Sequence, residues 1–102
     1  MENFDTALNN WIERAQQIII DDHKKHGFTI PYTVLSIDPG GIKFIRIVAT
    51  YHNNRSVHCF IERSTGNVLK AASWKAPAKH ARGNIFQVGR EGVGAYGANY
   101  LR

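Results

Sequence analysis

The chain has 102 residues, 43% of them hydrophobic and 21% charged, with a formal net charge of +5 at pH 7. That length predicts a single domain over residues 1–102 with one modest core, and the composition excludes a disordered chain. No apolar run approaches the roughly 18 residues of a membrane-spanning helix, the acidic, amphipathic start is not that of a secretory signal, and the single Cys59 excludes an internal disulfide framework and a cysteine-rich zinc site.

Charge is unevenly placed. Residues 1–22 hold five acids against Arg14 alone, whereas Arg63 to Arg90 holds six Lys/Arg residues and no Asp or Glu. A chain polarised in this way can orient a polyanion, although the same charge also serves solubility alone.

The first element is a helix over residues 4–26. Phe4, Leu8, Trp11, Ala15 and Ile18 recur at helical spacing, Ile12 and Ile19 widen the stripe, Asn3 or Asp5 caps the start, and Gly27 follows the end. His23, Lys24, Lys25 and His26 suit the negative end of the helix dipole better than they suit a ligand. Next comes an antiparallel meander of four strands, about 32–38, 42–52, 55–62 and 67–74. Its turns are Asp38-Pro39-Gly40-Gly41, His52-Asn53-Asn54-Arg55 and Ser64-Thr65-Gly66-Asn67, with Gly66 suited to a left-handed position. After Trp74 periodicity is lost, and glycines punctuate a segment that still holds Ile85, Phe86, Val88, Tyr96, Tyr100 and Leu101. The predicted fold is therefore α+β: an N-terminal helix packed on a four-stranded antiparallel meander, followed by an irregular Gly-rich C-terminal segment.

Those turns sort the side chains into two faces. Leu35, Ile37, Ile42, Phe44, Val48, Val57, Cys59, Ile61, Leu69 and Ala71 form the apolar face expected to meet the helix, with Cys59 an inert packing residue. Tyr32, Val34, Lys43, Ile45, Ile47, Tyr51, His58, Phe60, Val68, Lys70 and Trp74 fall on the other face. Exposed aromatic rings stack bases while Lys and Arg hold phosphates, so Tyr32, Tyr51 and Phe60, with Trp74, Lys43, Lys70 and His58, form a possible stacking face. The competing reading is that Ile45, Ile47 and Val68 are covered by the C-terminal segment.

A second candidate is the stretch from Trp74 to Asn84, where Lys75, Lys79, His80 and Arg82 are spaced by small residues that let a phosphate approach the backbone. It matches no P-loop and no dinucleotide-binding glycine signature, and a solvated basic loop would look the same. The nucleic-acid or phosphate-binding set is thus Lys70, Trp74, Lys75, Lys79, His80 and Arg82. Catalysis finds no constellation: His58 and Cys59 are strand neighbours that face opposite ways, and Asp38 reads as a turn residue. No metal-ligand spacing is present, so no cofactor, metal or enzyme activity is expected.

The run T-G-N-V-L-K-A-A-S-W-K-A-P-A-K-H-A-R-G-N-I-F, from Thr65 to Phe86, and the ending Y-G-A-N-Y-L-R resemble a group of small uncharacterised proteins of tailed bacteriophages. The resemblance implies a phage origin, the cytoplasm of an infected bacterium and an accessory or host-takeover role. It implies no catalytic residues. The leading expectation is a non-enzymatic binder of RNA or single-stranded DNA. The alternative is a host-takeover or anti-defence inhibitor that binds a host bacterial protein or sequesters a nucleotide signal.

Overall fold

The computed structural model describes residues 3–27, 33–38, 41–89, 91–94 and 97–98. A helix, α1 (Phe4–Lys25), precedes strands β1 (Val34–Asp38), β2 (Phe44–Tyr51), β3 (Asn54–Glu62), β4 (Asn67–Ala71) and β5 (Pro77–Asn84), then the short pair β6 (Val93–Gly94) and β7 (Gly97–Ala98). The first five strands form one antiparallel sheet in the order β1-β2-β3-β4-β5, and β6 pairs with β7. The class is α+β as expected, but the sheet has five strands where the sequence predicts four.

The helix begins where the sequence places it. The Asn3 side chain accepts from the Thr6 N–H at 2.8 Å, Asp5 sits in the first turn, and Gly27 takes φ +68° after the His26 cap. One bond satisfies an orphan amide and the other features suit the dipole and the left-handed exit. Ala7, Leu8, Trp11, Ala15 and Ile19 make the buried stripe. Gln16 also reaches the edge of the sheet: it accepts from the Leu35 N–H of β1 at 2.8 Å and donates to the carbonyl of Thr33, just before that strand, at 2.9 Å.

The stripe packs on Leu35, Ile45, Ile47, Ala49, Cys59, Ile61 and Val68, joined by Ile85 and Val93. Leu35, Cys59 and Ile61 lie on the expected face, and Ile37 packs against it. Phe44, Val48 and Leu69, expected on that face, do not belong to this cluster, while Ile45, Ile47 and Val68, expected opposite, do. The register gives the reason. Ile45 pairs with Ile61 and Ile47 with Cys59, whereas Arg46 pairs with Phe60, and Phe60 with Leu69. Shifting the parity of β2 by one residue exchanges all its side chains between faces. Ile42, also expected inward, is 94% exposed. Val57 pairs with buried Val48 on the far face, and it and Ala71 are only half-buried.

Two of the predicted turns hold. His52 and Asn53 link β2 to β3, with His52 at φ +55°, and Gly66 takes φ +77° at the start of β4. An added Cβ at Gly66 would come within 2.6 Å of the Phe86 ring, so both conformation and space require glycine there. The turn at residues 38–41 lies partly outside the described residues.

The additional strand is β5. Residues 77–84, expected to be irregular, form the edge strand beside β4. From there the chain returns across α1. The Trp11 indole donates to the Glu91 carbonyl at 3.0 Å, and Arg14 donates to the Glu91 carboxylate and to the Ile85 carbonyl, each at 3.3 Å. Glu91 also accepts from the Gly89 amide at 2.7 Å. These bonds fasten the segment after β5 to the helix.

Cys59 is fully buried, and the absence of water pushes its thiol far above the usual range. A thiol reagent should therefore leave the native protein unlabelled and react only as it unfolds. Rapid stoichiometric labelling under native conditions would contradict this placement.

Candidate nucleic-acid interface

The face of the sheet away from α1 collects Arg46, Val48, Phe60 and Leu69, and the β4–β5 connection lies against it. This connection is fixed locally. The amides of Ala72 and Ser73 donate to the Ala76 carbonyl, and the Ser73 hydroxyl accepts from the amides of Lys75 and Ala76. Such a serine turn presents the intervening residues, Trp74 and Lys75, at the tip.

Arg46 holds this tip to the sheet. Its Nε donates to the Trp74 carbonyl at 2.8 Å and its guanidinium carbon lies 4.7 Å from the centre of the Trp74 ring. A second nitrogen donates to Asp38 at 2.7 Å, directly across the β1–β2 pair. Beneath, the same guanidinium sits 5.9 Å from the Phe60 ring, and Arg55 approaches Trp74 to 5.8 Å. Each cation–ring contact at such a partly exposed place is worth about 0.5–1 kcal/mol. Together they hold Trp74 in place while leaving it 41% exposed.

Beside Trp74 opens a cleft of about 290 Å³, lined by Asp38, Gly41, Ile42, Lys43, Phe44, Arg46, Phe60 and Lys75. Three cations thus converge on one concavity from the β1–β2 connection, from β2 and from the β4–β5 connection. Among the described residues neither Lys43 nor Lys75 makes an ion pair, and Asp38 is the carboxylate that faces them.

The residues singled out in the sequence divide accordingly. Lys75 lines the cleft, and Trp74 lies next to it against Arg46. Lys79, His80 and Arg82 lie on β5, at the sheet edge, where charged side chains have a purely structural use in keeping other strands from adding. Lys70 is half-buried on β4. Phe60 is only 3% exposed, so it floors the cleft and cannot stack a base as expected. Tyr51 is half-buried at the end of β2, its ring edge against His52, and shares its alternation with Ile47 and Ala49, the helix side. Tyr32 lies outside the described residues. His58 is buried too. Sequence reasoning missed Arg46 and Arg55. Arg46 had a legible signal, being the single charge inside the apolar run Phe44–Ala49, a position that demands partners.

A family of unknown function, DUF7717, has a sequence profile that matches residues 2–95. The chain belongs to this family. No curated protein and no solved structure matches it. The family match runs from the helix through β6 and so takes in every residue of the cleft. Among the described residues no group of three His, Cys, Asp or Glu side chains is placed to hold a metal ion, and no helix is long and apolar enough to cross a membrane.

Proposed function

We propose that this protein binds single-stranded nucleic acid, RNA or DNA, as a non-enzymatic accessory protein, with Trp74 stacking a base and Lys43, Lys75 and Arg55 holding phosphates. The observation that carries the reading is a half-exposed tryptophan, held by two arginines, next to a cleft that its chain neighbour Lys75 lines together with Lys43 and Arg46. Stacking on an aromatic ring with flanking cations is sequence-tolerant, because every base has a π-face and every nucleotide a phosphate. The basic edge strand extends the positive surface, so a bound strand would run from the cleft toward Lys79 and Arg82. The phage likeness adds an infected bacterial cytoplasm as the setting.

Affinity for a single strand should fall with salt by a log–log slope of about −0.7 for each phosphate neutralised. Changing Lys43, Arg55 and Lys75 together to Ala should flatten that slope by about two units if all three touch phosphate. The matched edge variant, Lys79 and Arg82 to Ala, should flatten it less. Trp74→Ala should weaken binding by about 1–3 kcal/mol with little change in slope, since stacking releases few ions. Equal slopes for the parent and the cleft variant would remove the cleft from the interface.

One observation favours a second reading, docking on a host protein. Ile42 stands 94% exposed beside Lys43, an apolar anchor at the lip of the same cleft. A host protein that co-purifies after nuclease treatment and is lost in Ile42→Ser would favour it.

A further inference from the structure

We propose that the cleft seats a terminal phosphate, the phosphomonoester end of an oligonucleotide or mononucleotide, and that Asp38 occupies Arg46 until that ligand displaces it. This rests on the nucleic-acid reading above and narrows it from a surface that tracks a strand to a seat that recognises an end.

Size is the first ground. At about 290 Å³ the cleft stands at the bottom of the range of small-molecule sites, roughly 300–1,000 Å³. It has room for one nucleotide unit and not for a length of chain. Its floor is Phe60 with half-buried Phe44, apolar surface suited to a sugar or base edge, and its charged groups stand at the walls.

Charge is the second. Lys43, Arg46 and Lys75 set against Asp38 leave two net positive charges, which a phosphate dianion would neutralise. A terminal phosphate carries a charge of about −1.5 to −2 near neutral pH and presents three acceptor oxygens. An internal phosphodiester carries a single charge and offers fewer free oxygens. The end therefore gains more from three convergent donors than any internal phosphate does.

Exchange at Arg46 is the third ground. Its Nε is committed to the Trp74 carbonyl, which fixes the plane of the guanidinium, while its Nη1 is held by a carboxylate oxygen of Asp38 at 2.7 Å. Asp38 is one-third exposed and the arginine about one-quarter, so the pair is reachable from solvent and open to competition by another anion. A ligand that brings Lys43 and Lys75 into contact as well can outcompete it. An arginine held in plane meets phosphate oxygens in the fork geometry that makes such contacts strong. Asp38 then acts as a resident competitor that any phosphate must displace from Arg46, and the three cations, not Asp38, favour the dianion.

The test compares short oligothymidylates of one sequence carrying a 5′-phosphate, a 3′-phosphate or hydroxyls at both ends, together with thymidine 5′-monophosphate, by titration of tryptophan fluorescence. One phosphorylated end should bind about tenfold or more tighter than the hydroxyl-ended strand. The 5′ and 3′ arms identify which end is taken, and the mononucleotide shows whether the rest of the strand is needed. The preference should shrink below the phosphate's second pKa of about 6, and in Arg46→Lys, which keeps the charge without the fork. Asp38→Asn should tighten binding of all the strands, and of the phosphorylated ones most, because the carboxylate it removes repels a dianion more than a monoanion. Equal binding of phosphorylated and hydroxyl-ended strands overturns the seat while leaving strand binding intact. Failure of every strand to bind at low salt overturns both.

Discussion

Trp11→Ala should lower the free energy of unfolding by about 3–5 kcal/mol, the range for deleting a large buried aromatic. Trp11 is fully buried in the middle of α1, among Leu8, Ala15 and the sheet residues beneath them. Its indole N–H also satisfies the Glu91 carbonyl, so the alanine variant both opens a cavity and strands an acceptor. Trp11→Phe separates the two effects: it keeps most of the volume and should lose only about 1–3 kcal/mol for the stranded carbonyl. Urea unfolding of the three proteins measures this. A change below about 1 kcal/mol for the alanine variant would contradict the burial of the ring.

The second large effect is a fall in stability as pH drops from 6.5 to 4. His58 is 3% exposed, and among the described residues neither of its ring nitrogens finds a hydrogen-bond partner of ordinary geometry. Burial lowers its pKa from 6.5 to about 4, with the neighbouring Gly94 backbone offsetting a little of that. The imidazole is therefore neutral in the folded protein across a window in which the unfolded chain takes up a proton. With more protons on the unfolded state, stability declines as pH falls, by about 1.4 kcal/mol per unit and roughly 3 kcal/mol over the window, and this contribution levels off below the folded pKa. His58→Leu removes the titrating group, so unfolding measured at several pH values should show a flatter profile between 6.5 and 4. An equally steep decline in the leucine variant would assign the effect elsewhere.

What was legible in the sequence follows the physics of each element. The helix was readable from end to end because one apolar stripe, an Asn cap and a terminal glycine all agree. Gly66 and the His52-Asn53 turn were readable because left-handed backbone and two-residue hairpins narrow the residue choices. The parity of β2 was not. Phe44, Ile45, Ile47, Val48 and Ala49 are apolar on both faces, so alternation carries no information, and the Phe60 side is buried under Arg46 and the Trp74 connection. The β3 ladder also slips at Ile47/Val48, which defeats register counting from the turns. Strand β5 was invisible for a different reason. Pro-Ala-Lys-His-Ala-Arg-Gly-Asn joins the sheet through backbone pairing at an edge, with Gly83 its one buried residue, so it shows no hydrophobic period. The cleft inherits these difficulties. Trp74 and Lys75 were visible as part of a basic, aromatic run, but Arg46 reaches them only through the parity that the sequence concealed.

In the proposed function, Trp74 and the cations around it meet single-stranded nucleic acid. Titrating the protein at low salt with a short single-stranded oligonucleotide, and following tryptophan fluorescence against a Trp74→Phe control, tests it most directly. Quenching that saturates, is absent in the control and reverses on adding salt is the expected result. No change in fluorescence and no binding by an independent measurement at low salt would contradict it.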